Sequence, residues 1–296
     1  MAAIVVSELR KSYGALAAVD GVSFEVESGE VFGLLGPNGA GKTTTIEILE
    51  GYRRADSGRA TVLGEDPQQG GRRLKERIGL VLQELAVPPL LSVRELLEMY
   101  RGYYPSPRPV GEILELVGLT EKAEARVKTL SGGQQRRIDL ALGLVGDPEL
   151  IFLDEPTTGF DPGARRNAWQ IVRNMRGLGK TIVLTTHYMD EAQELADRIC
   201  VMAKGKVVAE GSPESLRAAT VARTRIRFGL PRGVSPDLLP VSAGAVDGVV
   251  TLETLTPTTV LRDLTVWATG RGLELDALEV TRPSLEDVYL ELTADE

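Results

Sequence analysis

Two kinds of hydrophobic spacing alternate along residues 1–220. Nearly continuous apolar runs at 30–35, 60–63, 78–83, 150–155 and 181–186 read as buried strands. Between them apolar positions recur at helical spacing. They do so at 44–50, at 92–100 with Val93, Leu96, Leu97 and Tyr100 on one face, and at 112–117, 121–127 and 137–144. Behind Asp161, Ala168, Ile171, Val172, Met175 and Leu178 form another such face. Residues 23–27 instead alternate apolar and polar before the turn Ser28-Gly29, so an antiparallel sheet is expected to lead into the run at 30–35. Strands alternating with helices predict an α/β fold with a mostly parallel sheet covered on both faces.

Punctuation sharpens the boundaries. Ser92 with Glu95, and Ser131 with Gln134, have the spacing of capping boxes. Asp161 precedes Pro162 at a helix start, and Gly179 stands where that helix ends. Pro105, Pro107 and Pro109 interrupt a helical stretch that covers about 84–145. Near Gly211-Ser212-Pro213 the texture changes again. Residues 221–296 carry strand-like runs at 224–228, 249–255 and 275–280 and helical ones at 260–268 and 284–292, a small α+β domain behind a cassette of 1–220.

At 296 residues the chain has room for one large domain and a small one. No run approaches the roughly 18 apolar residues that span a bilayer, and the start lacks the charged and apolar regions of a signal peptide. The single cysteine, Cys200, excludes an internal disulfide and reads as a small apolar filler in a strand. A net charge of −8 argues against nucleic acid as a partner and against direct docking on anionic lipid. If the protein works at a membrane, another protein must hold it there.

The candidate chemistry begins at Gly36-Pro37-Asn38-Gly39-Ala40-Gly41-Lys42-Thr43-Thr44. In a chain with 32 glycines a bare pattern match is weak. Here the segment stands between a strand and a helix, the context of a phosphate-binding P-loop. Its backbone N–H groups and helix start suit an anion, Lys42 suits the terminal phosphates, and the Thr43 hydroxyl suits Mg²⁺. Asp154 ends a buried strand, where it could hold Mg²⁺, and Glu155 behind it could orient or deprotonate a water. Leu130-Ser131-Gly132-Gly133-Gln134 opens a second helix start able to face an anion. Two such starts far apart in sequence invite a dimer with nucleotide between the copies. Tyr13 could stack on a purine, although a half-buried turn tyrosine is the simpler reading of that residue alone.

Together these segments resemble the nucleotide-binding subunit of ABC transporters. Gly36 to Thr43 corresponds to Walker A, residues 150–155 to Walker B and its glutamate, and Leu130 to Gln134 to the LSGGQ signature. Gln83 falls at the Q-loop glutamine, and His187, the only histidine, at the switch histidine. Thr158-Gly159-Phe160-Asp161 falls at the D-loop, with Phe160 in place of the usual leucine, and Tyr13 at the adenine-stacking aromatic. Residues 139–161, with Leu142 where many cassettes have arginine, and the segment 283–293 resemble the ATPases of type-2 exporters, including the daunorubicin-resistance group. The resemblance implies an ABC cassette with an antiparallel β subdomain and a helical subdomain.

It also implies ATP and Mg²⁺ as cofactors, with Thr43, Gln83 and Asp154 at the metal. Glu155, His187 and Gln83 would be the catalytic group. Two subunits, implied to be identical chains, would close head to tail, each ATP lying between one P-loop and the other subunit's Ser131–Gln134. The partner would be a permease of roughly six spans that receives its cytoplasmic helix on segment 84–104, at the cytoplasmic face of the cell membrane. The cargo would be a drug, antibiotic, lipid or similar small molecule. An ABC importer would share almost all of this chemistry, and a soluble ABC ATPase would keep the ATP switch alone. A P-loop kinase or GTPase leaves Leu130–Gln134 without a role.

Overall fold

The computed structural model describes residues 1–81, 87–219, 223–231, 233–281 and 289. The chain divides into two compact units, Met1–Pro213 and Glu214–Glu296, at the change of texture around Gly211-Ser212-Pro213 and a little ahead of 220/221. The first unit opens with β1 (Ala2–Tyr13) and β2 (Leu16–Glu27), which pair antiparallel. Their alternation buries Ile4, Val6, Val22, Phe24 and Val26 on one face. Next come β3 (Val31–Leu35), α1 (Lys42–Leu49) and β4 (Ser57–Val62), which pairs with the other edge of β1. Then follow α2 (Gly71–Arg77), β5 (Ile78–Val81), α3 (Val93–Arg101), α4 (Val110–Leu116) and α5 (Gly132–Leu144). The unit continues with β6 (Leu150–Asp154), α6 (Pro162–Gly177), β7 (Thr181–Thr186), α7 (Met189–Leu195), β8 (Arg198–Ala203) and β9 (Lys206–Gly211).

Among the described residues the strands of this unit form two sheets, ordered β2-β1-β4 and β5-β6-β7-β3-β8-β9. The larger sheet is parallel from β5 to β8, and β9 closes it antiparallel. Burial explains the continuous apolar runs. Every residue of β3 and of β7 is buried, as interior parallel strands covered on both faces require. Cys200 is the expected filler, fully buried on β8, and burial pushes its thiol pKa up. One cluster of core side chains joins the helices α3–α6 to the sheet, and a second joins the sheet to β1, β2 and α1.

Several expected elements change. Residues 121–127 are not a helix but contribute to two short 3-10 turns, Thr120–Lys122 and Val127–Thr129. Their carbonyls are spent elsewhere: Val93 N donates to Ala125 O and Arg94 N to Ala123 O, satisfying the open first turn of α3. Leu178 lies beyond the last turn of α6 and is 39% exposed, so it leaves the buried face that Ala168, Ile171, Val172 and Met175 share. The run at 150–155 stops as a strand at Asp154, because Glu155 takes a left-handed φ of 44°. Positions 82–86, and the expected helix at 284–292 apart from residue 289, lie outside the described residues, and in the stretch expected to be helical from 84 the first described helix, α3, begins only at Val93.

After α8 (Pro213–Ala219), the second unit holds β10 (Thr224–Gly229), β11 (Ala245–Val246), β12 (Val249–Thr254), α9 (Pro257–Thr269) and β13 (Asp276–Thr281). Its described strands form one antiparallel sheet in the order β11-β12-β10-β13. Ile226, Phe228 and Val250 pack with Leu264, Trp267 and Ala268 of α9 in a core of its own.

Candidate functional site

The P-loop leaves the C-terminal end of β3. Gly36 N donates to Thr186 O at 3.3 Å, tying the loop to the end of β7. A Cβ at Gly36 would stand 2.3 Å from Met202 O, so the close approach to β8 demands glycine. Gly41 precedes α1 with φ 99°, and a Cβ there would meet Ala18 O at 2.2 Å. Gly41 at the N-cap has no side chain to cap α1, so among the described residues the N–H groups of its first turn are open to an external acceptor. Lys42 is 5% exposed and curls back over the loop, its Nζ donating to Gly36 O at 2.7 Å and Pro37 O at 3.1 Å. Burial lowers its pKa, while Glu155 and Asp154 pull it back up. Thr43, Asn38 and Gly39 are exposed, Thr44 is half-buried and Ala40 is buried.

Residues 36–43, 154–155 and 187 meet because β6, β7 and β3 are adjacent and parallel, so their C-terminal ends share one edge of the sheet. At that edge Thr185 Oγ1 donates to Asp154 Oδ1, across the register pair that links β6 and β7. Glu155 N donates to Thr185 O at 3.2 Å and to Thr185 Oγ1 at 3.1 Å. The Glu155 carboxylate accepts from Thr158 Oγ1 at 3.0 Å, and His187 Nδ1 lies 3.1 Å from its Oε1. A cleft of about 450 Å³ is lined by Tyr13, Asn38, Lys42, Thr43, Asp154 and Glu155. Tyr13, at the end of β1, is 41% exposed, with Arg53 and Lys11 against its ring.

Ser131 caps α5 in a complete capping box. Its Oγ accepts from Gln134 N at 3.4 Å, and Gln134 Oε1 accepts from Ser131 N at 3.0 Å. Ser131 and Gly132 are exposed, whereas Leu130 is buried in the core and anchors the turn. Gly132 and Gly133 line a second cleft of about 470 Å³ with Thr158, Phe160 and Asp161, and Glu155 borders both clefts. Asp161 Oδ1 caps α6 by accepting from Gly163 N and Ala164 N at 2.8 and 2.9 Å. Phe160 packs against the core. Gln83 lies outside the described residues.

Three polar residues escape sequence reasoning. Thr185 sits in an apolar strand, and only its register opposite Asp154 reveals it. Glu191 of α7 is fully buried, accepting from Thr157 Oγ1 at 2.8 Å and Trp169 Nε1 at 3.3 Å, and burial raises its pKa. Arg136 of α5 is buried against the loop that carries Glu155, and its one sequence signal is its place in the turn after the signature.

This geometry has known relatives. Residues 19–158 match the family described as ABC transporter, and residues 224–284 match the C-terminal domain of proteins like those that contain an ABC transporter domain. Nod factor export ATP-binding protein I of Rhizobium sp. (strain N33) is 44% identical over 303 residues, covering 99% of this chain and 98% of that one. The chain belongs to the ABC transporter family. It is an ATP-binding subunit of the family's transport ATPases, which hydrolyse ATP. A daunorubicin resistance ATP-binding protein of Streptomyces coeruleorubidus is 38% identical over 316 residues, covering 99% of this chain and 96% of that one. Among solved structures, the ADP conformation of an ATP-binding cassette of an ABC transporter superposes with a TM-score of 0.65 at 26% identity, over 73% of this chain and 92% of that one. A dimeric cassette bound to ADP and phosphate gives 0.62 at 25% identity, over 71% and 98%. The α/β cassette expected from the sequence is therefore the fold of the first unit.

Proposed function

We propose that this chain drives export of a small molecule through a separate membrane permease, by closing on ATP as a head-to-tail pair and reopening after hydrolysis. The observation that carries the reading is the division of labour between the two clefts. Lys42, Thr43, Asp154 and Glu155 line one, while the capped start of α5 at Gly132 and Gly133 lines the other. A nucleotide on the P-loop would then be completed by the Ser131–Gln134 helix start of a second subunit, and the γ-phosphate would join both anion sites at once. Tyr13, at the rim of the first cleft, suits the adenine face.

The residues present fit a magnesium ion. Among the described residues no group of three or more His, Cys, Asp or Glu could hold a metal, and Mg²⁺ asks for less: one or two protein oxygens beside the substrate's phosphates. Thr43 and Asp154 would hold it, and bound there it would neutralise charge on the terminal phosphates. Glu155 would polarise the attacking water. His187, on the Glu155 carboxylate, would keep that group aimed and contact the γ-phosphate. Gln83 would report nucleotide state to segment 84–104, which contains α3 and where the permease's cytoplasmic helix would dock. The second unit would regulate or stabilise the pair.

Export rather than import is supported by the relatives named above, which are Nod factor export and daunorubicin resistance proteins. Among the described residues no helix is long and apolar enough to cross a membrane, so attachment to the cytoplasmic face would run through the permease. The test is to purify the tagged chain in mild detergent from cells expressing its genomic neighbours. A co-purifying permease of roughly six spans that carries ATP-dependent efflux in vesicles is the expected result. A co-purifying solute-binding protein with uptake would reverse the direction, and a chain with no membrane partner would end the transport reading.

A further inference from the structure

Arg136 is a buried cation that the reading above leaves without a task. It stands on α5, one turn beyond the Gly132-Gly133 start, and is 8% exposed. Its Nε donates to Pro156 O at 3.2 Å and its Nη2 to Asp154 O at 3.4 Å, while Nη1 faces Asp139 Oδ2 at 3.4 Å. Asp154 and Pro156 are the residues on either side of Glu155. Glu155 itself has φ 44°, a left-handed conformation that an L-residue with a side chain holds only where its surroundings impose it. Those surroundings are explicit. Thr185 takes the Glu155 N–H, Thr158 N donates to the Glu155 carbonyl at 3.3 Å, and the Arg136 fork takes the carbonyls before and after.

We propose that Arg136 is a positioning residue for ATP hydrolysis: its guanidinium fixes the backbone on both sides of Glu155 and so the aim of that carboxylate. This rests on the reading of Glu155 as the group that polarises the attacking water. The planar fork matters because two carbonyls separated by one residue are held by donors whose spacing is rigid, which a lysine ammonium cannot reproduce. The fork is also mounted on the helix whose first turn carries the signature. A nucleotide that draws on Gly132 and Gly133 therefore pulls on the same rigid element that aims the glutamate of this chain's own cleft.

The test is steady-state ATP hydrolysis by the full-length chain carrying Arg136→Gln or Arg136→Lys, each with Glu155 intact and in the Glu155→Gln background. Arg136→Lys retains the charge and the stem and serves as the folded comparison if the glutamine variant melts early. Expected is a fall in kcat of about tenfold to hundredfold for both variants with KM for ATP within about twofold. In the Glu155→Gln background the same substitution changes the residual rate by less than about twofold, because no aimed carboxylate remains to be lost. An unchanged kcat in Arg136→Lys, a rise in KM alone, or an equal loss in both backgrounds would overturn the inference while leaving the catalytic reading of Glu155 standing. Wild-type turnover in Glu155→Gln alone would overturn that reading, and this inference with it.

Discussion

Glu50 shows how much a single side chain gives up for its place behind the P-loop helix. It is 6% exposed at the end of α1, and burial, with the charges of Asp154 and Glu47 nearby, pushes its carboxyl from the ordinary 4.5 up to about 8. The folded chain therefore holds a proton between those two values that the unfolded chain has released. Stability falls as pH rises through this window, and the loss is complete above the folded pKa. Glu50→Gln removes the titration. We expect it to flatten the dependence of the urea midpoint on pH between about 5 and 8, and to stabilise the protein at about pH 8.5 by a few kcal/mol. A midpoint that stays as steep in the variant would place the proton elsewhere.

At the scale of elements, local chemistry decides what the sequence discloses. The capping box at α3 is a pattern of two side chains, and the structure repeats it: Glu95 N donates to Ser92 Oγ at 3.2 Å and Ser92 N to Glu95 Oε2 at 2.8 Å. Ser92→Ala is expected to lower unfolding free energy by about 1 kcal/mol in denaturant titration, and no change would mean that the backbone contacts from Ala123 and Ala125 satisfy α3 without it. The box at Ser131 and the cap at Asp161 were legible for the same reason. The runs at β3, β6 and β7 were legible because burial on both faces keeps them apolar but for the threonines of β7 and Asp154 at the end of β6. Residues 121–127 misled because their apolar spacing serves the core while their carbonyls serve α3, which no local pattern records. Strand β9 and helices α2 and α7 carry too little periodicity or punctuation to stand out, whereas β8 has a continuous buried run like that of β3 and was anticipated only at Cys200. Thr185 was illegible because its meaning lies in which strand neighbours β6, a matter of sheet order, and Arg136 because its partners are backbone carbonyls of another element, at the end of β6 and just behind it.

At the scale of the whole molecule, the two units differ in what the motifs cover. The segments that resemble the P-loop, Walker B, signature and switch motifs all fall in Met1–Pro213, and the unit from Glu214 carries a separate core. The first unit gathers Lys42, Asp154, Glu155 and His187 at one sheet edge but keeps the Gly132-Gly133 helix start in another cleft. Hydrolysis is thereby proposed to require two chains, each lending α5 to the other's nucleotide. The direct test is light scattering of Glu155→Gln behind a sizing column, with and without ATP and Mg²⁺. Expected are a monomer without nucleotide, a dimer that persists with ATP because turnover is slowed by about a hundredfold or more, and loss of that dimer when Ser131→Arg is added. A Glu155→Gln protein that stays monomeric with bound ATP, or that hydrolyses at the wild-type rate, would contradict this reading.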